Sequence, residues 1–354
     1  IKQVNVYKYL GIELDIQLTF EDFKKRIKEK ARSISRVWAM GMSEGGLSVK
    51  ACINLYQALV RSVLEYGSVI WGDEGWEEGE RVQREMARRI LRCNGKTTNE
   101  AVLGELGWWK LRTRREFCKL KYWIRILLMN ETRLVKNVYQ TSKKEYINKG
   151  TNNWCAEIYR LVIKYNLAEL WNNESKINEL HTQGVNLKQS WYKFLYKRIH
   201  EVEERSWLVA MSKQPKLRTY VKFKKKLELE KYLLSNKHKP TINLLTRIRT
   251  GTNKLRIETG RWTKEDQVDR KCRTCFSGEI EDEVHFLLNC EAYSVLRTKM
   301  YNQIETVLNN DIEMTNKTQD EKLVILMNPN TKYAEISEIV KEYVKTAYKR
   351  RLEI

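Results

Sequence analysis

Apolar residues recur at three- and four-residue spacing along most of the chain, and only Pro215, Pro240 and Pro329 interrupt it, so the pattern predicts a mainly α fold. The start is different. Val4-Asn5-Val6-Tyr7-Lys8-Tyr9 alternates like a strand, and residues 1–16 predict a β-hairpin turning at Gly11. Because the alternation is already under way at Ile1, an upstream segment is expected. Phe20 to Trp38 predicts a helix with Phe23, Ile27, Ile34 and Val37 on one side, broken by Gly41, Gly45 and Gly46. From Ser48 a second helix should bury Cys52, Leu55, Tyr56, Leu59 and Val63, then stop at Gly67 in the left-handed cap conformation. Tyr66, Trp71 and Trp76 follow as an aromatic cluster, read as core anchors with base stacking as the alternative.

Glu80 to Cys93 separates into two faces. Val82, Met86 and Ile90 recur every four residues, while Arg81, Arg84, Arg88 and Arg92 line another face with Glu85 as the only acid inside the run. Phosphate contact and plain solvation are both open for this ridge. A second basic run, Arg112, Arg114, Arg115, Lys119 and Lys121, leads into Tyr122, Trp123 and Arg125. Thr141 to Asn153 is polar and reads as a linker or long surface loop, with a domain boundary near residue 140. Residues 154–210 carry weaker helical patterns around Trp154, Tyr159, Trp171, Trp191 and Trp207, interrupted by Asn172 to Lys188. No chemistry is evident there, and His181 and His200 stand alone. Lys216 to Lys239 predicts a basic helix, nine Lys and Arg against Glu228 and Glu230, with Lys222, Lys225 and Lys226 as phosphate-contact candidates. Thr241 should cap a short helix through Leu244, Leu245 and Ile248 that ends at Gly251 and projects Arg247 and Arg249. A last amphipathic helix carries Ile336, Ile339, Val340, Tyr343 and Val344.

Charge narrows the partner. Lys and Arg number 66 against 45 Asp and Glu, a formal net charge of +21, which makes a polyanion the expected partner and nucleic acid the favoured one. Apolar runs such as Leu323-Val324-Ile325-Leu326-Met327 are too short to cross a bilayer, so no membrane association is expected. With 42% apolar residues the chain is not a disordered tail.

The candidate chemistry is Cys272-x2-Cys275-x9-His285-x4-Cys290, a zinc signature in ligand type and spacing. Three thiolates and an imidazole fill all four positions, so the expected Zn²⁺ is structural. His285 and Cys290 are about 140° apart on an ideal helix, so Cys290 should lie just past a helix end. Glu279, Glu281, Asp282 and Glu283 precede His285, where negative charge suits a helix N-terminus. The Cys-to-His gap is longer than in the retroviral nucleocapsid knuckle, so single-strand binding in that manner is not assumed. Cys52, Cys93, Cys118 and Cys155 lack paired spacing and read as packing thiols of a reducing compartment, nuclear or cytoplasmic. No P-loop, Gly-x-Ser-x-Gly elbow, His-Glu-x-x-His or adjacent aspartate pair occurs, and the segment is expected to be chemically silent alone.

These motifs together resemble the carboxy-terminal part of reverse transcriptases of non-LTR (LINE-type) retrotransposons. Lys8-Tyr9-Leu10-Gly11-Ile12 looks like the hairpin that closes the palm and grips the primer end, which assigns Tyr9, Leu10 and Gly11 to the primer grip. Gly46-Leu47-Ser48, Leu64 to Trp71, Val82-Gln83-Arg84 and Arg89-Ile90-Leu91 look like the helical thumb. Glu105-Leu106-Gly107-Trp108, then Leu111 and Arg114, look like the stretch beyond the thumb in these enzymes. Arg249-Thr250-Gly251, Gly260-Arg261-Trp262 and the zinc window, with Phe286, Leu287, Leu288 and Tyr293, look like the family's terminal module. The resemblance implies a palm-end hairpin (1–16), a helical thumb (17–140), a helical connector (141–213), a basic helix plus zinc module (214–300) and C-terminal helices (301–354). It further implies template–primer duplex, element RNA and target DNA as partners, with Arg81, Arg84, Arg88, Arg92, Arg112, Arg115, Lys119, Lys222, Lys225, Lys226, Arg247 and Arg249 as contacts. The catalytic Asp pair and its Mg²⁺ belong to a palm expected upstream of Ile1, and no Pro-Asp endonuclease motif follows Cys290. The alternative from another class is a non-catalytic nucleic-acid-binding zinc protein, decayed or domesticated.

Overall fold

In the computed structural model, which describes residues 4–40, 47–72, 75–178, 186–234, 239–309, 313–328 and 334–353, the N-terminal hairpin closes through Leu10 and Gly11. Both take left-handed angles, φ 46° and 83°, as a two-residue hairpin turn requires. Val6–Tyr9 and Ile12–Asp15 pair antiparallel, with Val6 opposite Asp15 and Tyr9 opposite Ile12. Everything else regular among the described residues is helical, apart from one bridge between Lys271 and Ile280. No helix among them is long and apolar enough to cross a membrane. The expected breaks at Gly41, Gly45 and Gly46, and His181, lie outside the described residues.

Two compact units form, each from three stretches: 1–43, 55–83 and 109–206 in the first, and 44–54, 84–108 and 207–354 in the second. In the first, Tyr66 donates its hydroxyl to the Leu10 carbonyl at 2.6 Å and Arg26 donates to that of Gly11 at 2.5 Å, tying the hairpin down. Phe23, from the helix Glu21–Met40, meets Trp71 edge-on, and Trp71 meets Trp76 in the same way with ring centres 5.5 Å apart. Trp71 and Trp76 are thus core anchors; Tyr66 is half exposed.

The second predicted helix is not regular. Tyr56–Arg61 forms a π-helical stretch, and its wider i→i+5 turn shifts every later side chain by one position. Val60 and Leu64 are therefore buried where Leu59 and Val63 were expected, and Leu59 is exposed. The helix ends earlier, at Leu64 with Glu65 as its C-cap; Gly67, φ 66°, is left-handed as expected but opens the short helix Ser68–Trp71 instead of closing this one.

Leu111–Leu127 has its N-terminus held by two carboxylates. Glu80 accepts from the Leu111 and Arg112 amides, and Glu203 from the Lys110 amide and Thr113 hydroxyl. Thr141–Asn153 is not a linker: the helix Leu134–Lys149 runs through it to Gly150, and the Asn153 side chain caps Trp154–Lys164. Its polarity reflects one buried edge only, where Tyr139 bonds Trp123 and Lys143 reaches the Trp171 carbonyl.

In the second unit, Asn99–Leu106 is buried from Ala101 to Leu106 and ends at Gly107, φ 63°. A Cβ at Gly107 would strike the backbone of Glu228 and Leu229, so only glycine admits that strand of chain, whose Glu230 amide donates to the Glu105 carbonyl at 2.9 Å. This contact explains why Lys216 to Lys239 is not one basic helix. It breaks into short turns at Pro215–Leu217, Tyr220–Phe223 and Lys231–Leu234, because Lys224 turns inward to Glu230 and the backbone at Glu228 and Leu229 packs on Gly107 rather than following helical phase. Thr241 lies inside the helix Lys239–Arg249 and not at its cap. The last helix, Ala334–Glu353, buries Ile336, Val340, Tyr343 and Val344 as its pattern predicts.

Candidate metal centre

The backbone around Cys272 is a tight knuckle. The Cys272 amide donates to the Glu279 carbonyl at 2.8 Å and the Glu281 amide to Arg270 at 3.0 Å, so the intervening turn aims Cys272 and Cys275 at one point. The second pair comes from a π-helical turn over His285–Asn289, in which the Cys290 amide donates to the His285 carbonyl at 2.7 Å. An i→i+5 turn brings the fifth residue back over the first, which an α-helix does not. Cys290 then sits just past the helix end, as its spacing predicted.

One ligand atom from each of Cys272, Cys275, His285 and Cys290 lies within 4.8 Å of every other, close enough to bind one metal ion. Cys272 and Cys290 sulfurs are 4.0 Å apart, and Cys275 Sγ is 3.4 Å from His285 Nε2. A tetrahedral ion with Zn–S and Zn–N bonds of about 2.3 and 2.0 Å has edges of about 3.8 and 3.5 Å, so the set is consistent with structural zinc. A hydrogen bond from Cys290 holds the Cys272 thiol down at about 3. Burial opposes charge on His285, but bonds to Cys272, Glu279 and Cys275 outweigh it and raise the imidazole to about 9. A metal ion displaces such protons as it binds.

Each acid of the run before His285 has its own partner. Glu279 Oε2 lies 2.7 Å from His285 Nδ1, which fixes Nε2 as the metal-facing nitrogen. Asp282 accepts from the His285 amide at 2.8 Å. Buried Glu281 takes Arg351 of the last helix in a two-point pair and the Arg256 amide. Glu283, also buried, binds Arg218, Thr219 and Asn253, and burial pushes its carboxyl up despite them. Tyr343 donates to the Phe286 and Leu287 carbonyls at 3.2 Å. The residues 301–354 thus include a wall of the metal module.

The candidate nucleic-acid contacts divide. Arg81, Arg112, Lys222, Lys225, Lys226 and Arg247 are exposed. Arg112 pairs with Glu116, Lys222 with Asp320, and Lys225 donates to the Val221 carbonyl. Arg84 is half-buried; Arg92, past the helix end with φ 51°, has left the ridge, and Arg88 donates to the Thr97 carbonyl and Asn99 side chain.

Arg115, Lys119 and Arg249 do not lie on the surface as expected of phosphate contacts, for they are 0%, 0% and 1% exposed. Arg115 lies over Trp71 and Trp76 and donates to the Gly72 carbonyl; Lys119 pairs with Glu157. Arg249 Nη2 is 2.9 Å from both Glu105 and Glu230, its guanidinium lies between the Phe223 and Tyr232 rings, and Nη1 donates to the Met327 carbonyl. Burial disfavours both charges, yet Arg249 holds Glu105 below the usual carboxylate range and is itself held well above its own. Tyr9 and Leu10, assigned to the primer grip, are exposed at the hairpin tip.

Two residues are not legible as functional from the sequence. Glu279 is visible there as an acid within the metal window, though not as the partner of His285; Phe276, beside Cys275 and 81% exposed, carries no signal of its own. No family model, curated protein or solved structure matches the chain.

Proposed function

We propose that this chain is the thumb and zinc-bearing tail of a non-LTR reverse transcriptase, gripping template–primer duplex and element RNA during target-primed reverse transcription. The observation that carries it is the excess of 66 basic over 45 acidic residues, with Arg81, Arg112, Lys222, Lys225, Lys226 and Arg247 on the surface. The ordered motifs from Lys8-Tyr9-Leu10-Gly11-Ile12 to Cys290 support the family. Two of them, Glu105-Leu106-Gly107-Trp108 and Arg249-Thr250-Gly251, meet in the Glu105–Arg249 pair, a physical reason for them to occur together. Cys272, Cys275, His285 and Cys290 hold a structural Zn²⁺, and bond making in this reading belongs to the Asp pair of a palm, with these residues holding the nucleic acid.

Binding to a labelled duplex, measured across salt concentration, tests the grip. Affinity should fall steeply with salt, and Gln at Arg81, Lys225 and Lys226 should each lower the log–log slope by roughly 0.7 to 0.9. A slope that stays flat to physiological salt overturns the electrostatic reading. The polymerase assignment demands more: an Asp-Asp palm motif in frame ahead of Ile1. Reading that coding sequence without finding the motif would reduce the protein to a binding module.

A further inference from the structure

Beside the metal knuckle lies a hollow of about 780 Å³, lined among others by Lys254, Arg256, Arg273, Phe276, Glu281 and Arg351. Four cations face it against one lining carboxylate. Glu281 answers Arg351 and Glu265 answers Arg256, while Lys254 and Arg273 are exposed. Arg256 Nε is buried without an acceptor among the described residues. The hollow therefore carries a positive surplus suited to a phosphate. Phe276 supplies something a phosphate does not need. Its ring is 81% exposed and its backbone sits at φ 53°, a conformation costly for a bulky side chain and one that glycine would adopt freely. An aromatic ring held in solvent on a strained turn is poorly explained by folding.

We infer that the hollow takes one unpaired nucleotide, its base stacked on Phe276 and its phosphate held by Lys254 and Arg273, an inference that rests on the nucleic-acid reading above. Stacking needs a base with a free face, which a continuous duplex does not offer, so this site discriminates single strand from duplex. It is also metal-dependent, because Arg273 lies between the ligands Cys272 and Cys275 and Phe276 follows them.

The test compares an oligothymidine strand and a blunt-ended two-strand duplex, both fluorescein-labelled, against the whole protein. Phe276→Ala should weaken the single strand roughly fivefold or more, the range base–aromatic stacking gives, and leave the duplex unchanged. Phe276→Trp should restore single-strand affinity, and Arg273→Gln should lower it. Metal content equal to wild type in every variant shows that the knuckle is intact. The inference is overturned if Phe276→Ala leaves oligothymidine binding unaltered, if both probes weaken equally, or if a phosphoserine peptide, and not oligothymidine, binds in a Phe276-dependent manner. Wild-type protein that binds both probes with indifference to Phe276 loses only this site; wild-type protein that binds neither loses the nucleic-acid reading as well.

Discussion

The metal knuckle and the cluster around Arg249 belong to the same unit, and each carries charge into the interior, but by opposite means. The four metal donors fall within residues 272–290, and the carboxylate that orients His285 lies there too. The ions around Arg249 come from far apart: Glu105 is 144 positions away, with Lys224, Glu230, Tyr232 and the Met327 carbonyl completing the group. A metal ion repays the burial of its thiolates through its own bonds. A buried ion pair must offset desolvation by geometry alone, so removing one member is far worse than never having had the pair. The knuckle is locally encoded and ligand-dependent; the Arg249 cluster is globally encoded and depends only on folding.

Removing the metal should have the largest effect. Structural zinc contributes apparent binding energies of about 10 to 16 kcal/mol in small modules, so chelation, or the pair Cys272→Ser and Cys290→Ser, should release the ion and open Arg270–Tyr293 to protease. Elemental analysis of purified protein checks it. Zinc retained unchanged in the double variant breaks the comparison at its first term.

Next comes Arg249→Gln, which takes the paired cation from buried Glu105 and leaves Glu230 with Lys224 alone. A loss of about 3 to 5 kcal/mol is expected in urea unfolding. Arg247→Gln, two positions earlier and exposed, is the control and should leave the midpoint in place. Equal behaviour of the two variants would show that the Arg249 cluster adds nothing specific.

The smallest effect sharpens the local side. Glu279→Gln keeps an acceptor near His285 Nδ1 but removes the charge, and metal affinity should fall ten- to a hundredfold in competition with a chelator, the usual cost of such a partner. No change would reduce Glu279, which is largely exposed, to a surface contact.

Several elements are legible in the sequence for the same reason the knuckle is. The hairpin turn at Gly11, the left-handed turn at Gly67, the buried Val82, Met86 and Ile90 and the final helix each depend on residues a few positions apart. Failures have equally specific causes. Leu59 and Val63 are misplaced by periodicity because a π-helical stretch leaves no mark on it at the level of single residues. Lys216 to Lys239 looks helical because its own pattern does not reveal that Lys224 turns inward to Glu230 or that the backbone at Glu228 and Leu229 packs on Gly107. Arg115, Lys119 and Arg249 read as phosphate contacts because a sequence displays a charge and conceals its partner.

Helical phase, turn chemistry and ligand spacing are properties of neighbouring residues, so the mainly helical, strongly basic character, the N-terminal hairpin and a turn whose four Cys and His side chains can hold a metal ion are all readable from residue order. Which cations serve the interior and which face solvent follows from packing alone. For Lys119 and Arg249 that choice rests on the placement of Glu157, Glu105 and Glu230 beside them. Desolvation makes a charge buried alone intolerable and one beside a carboxylate stable, and which of the two it becomes is settled when distant segments pack.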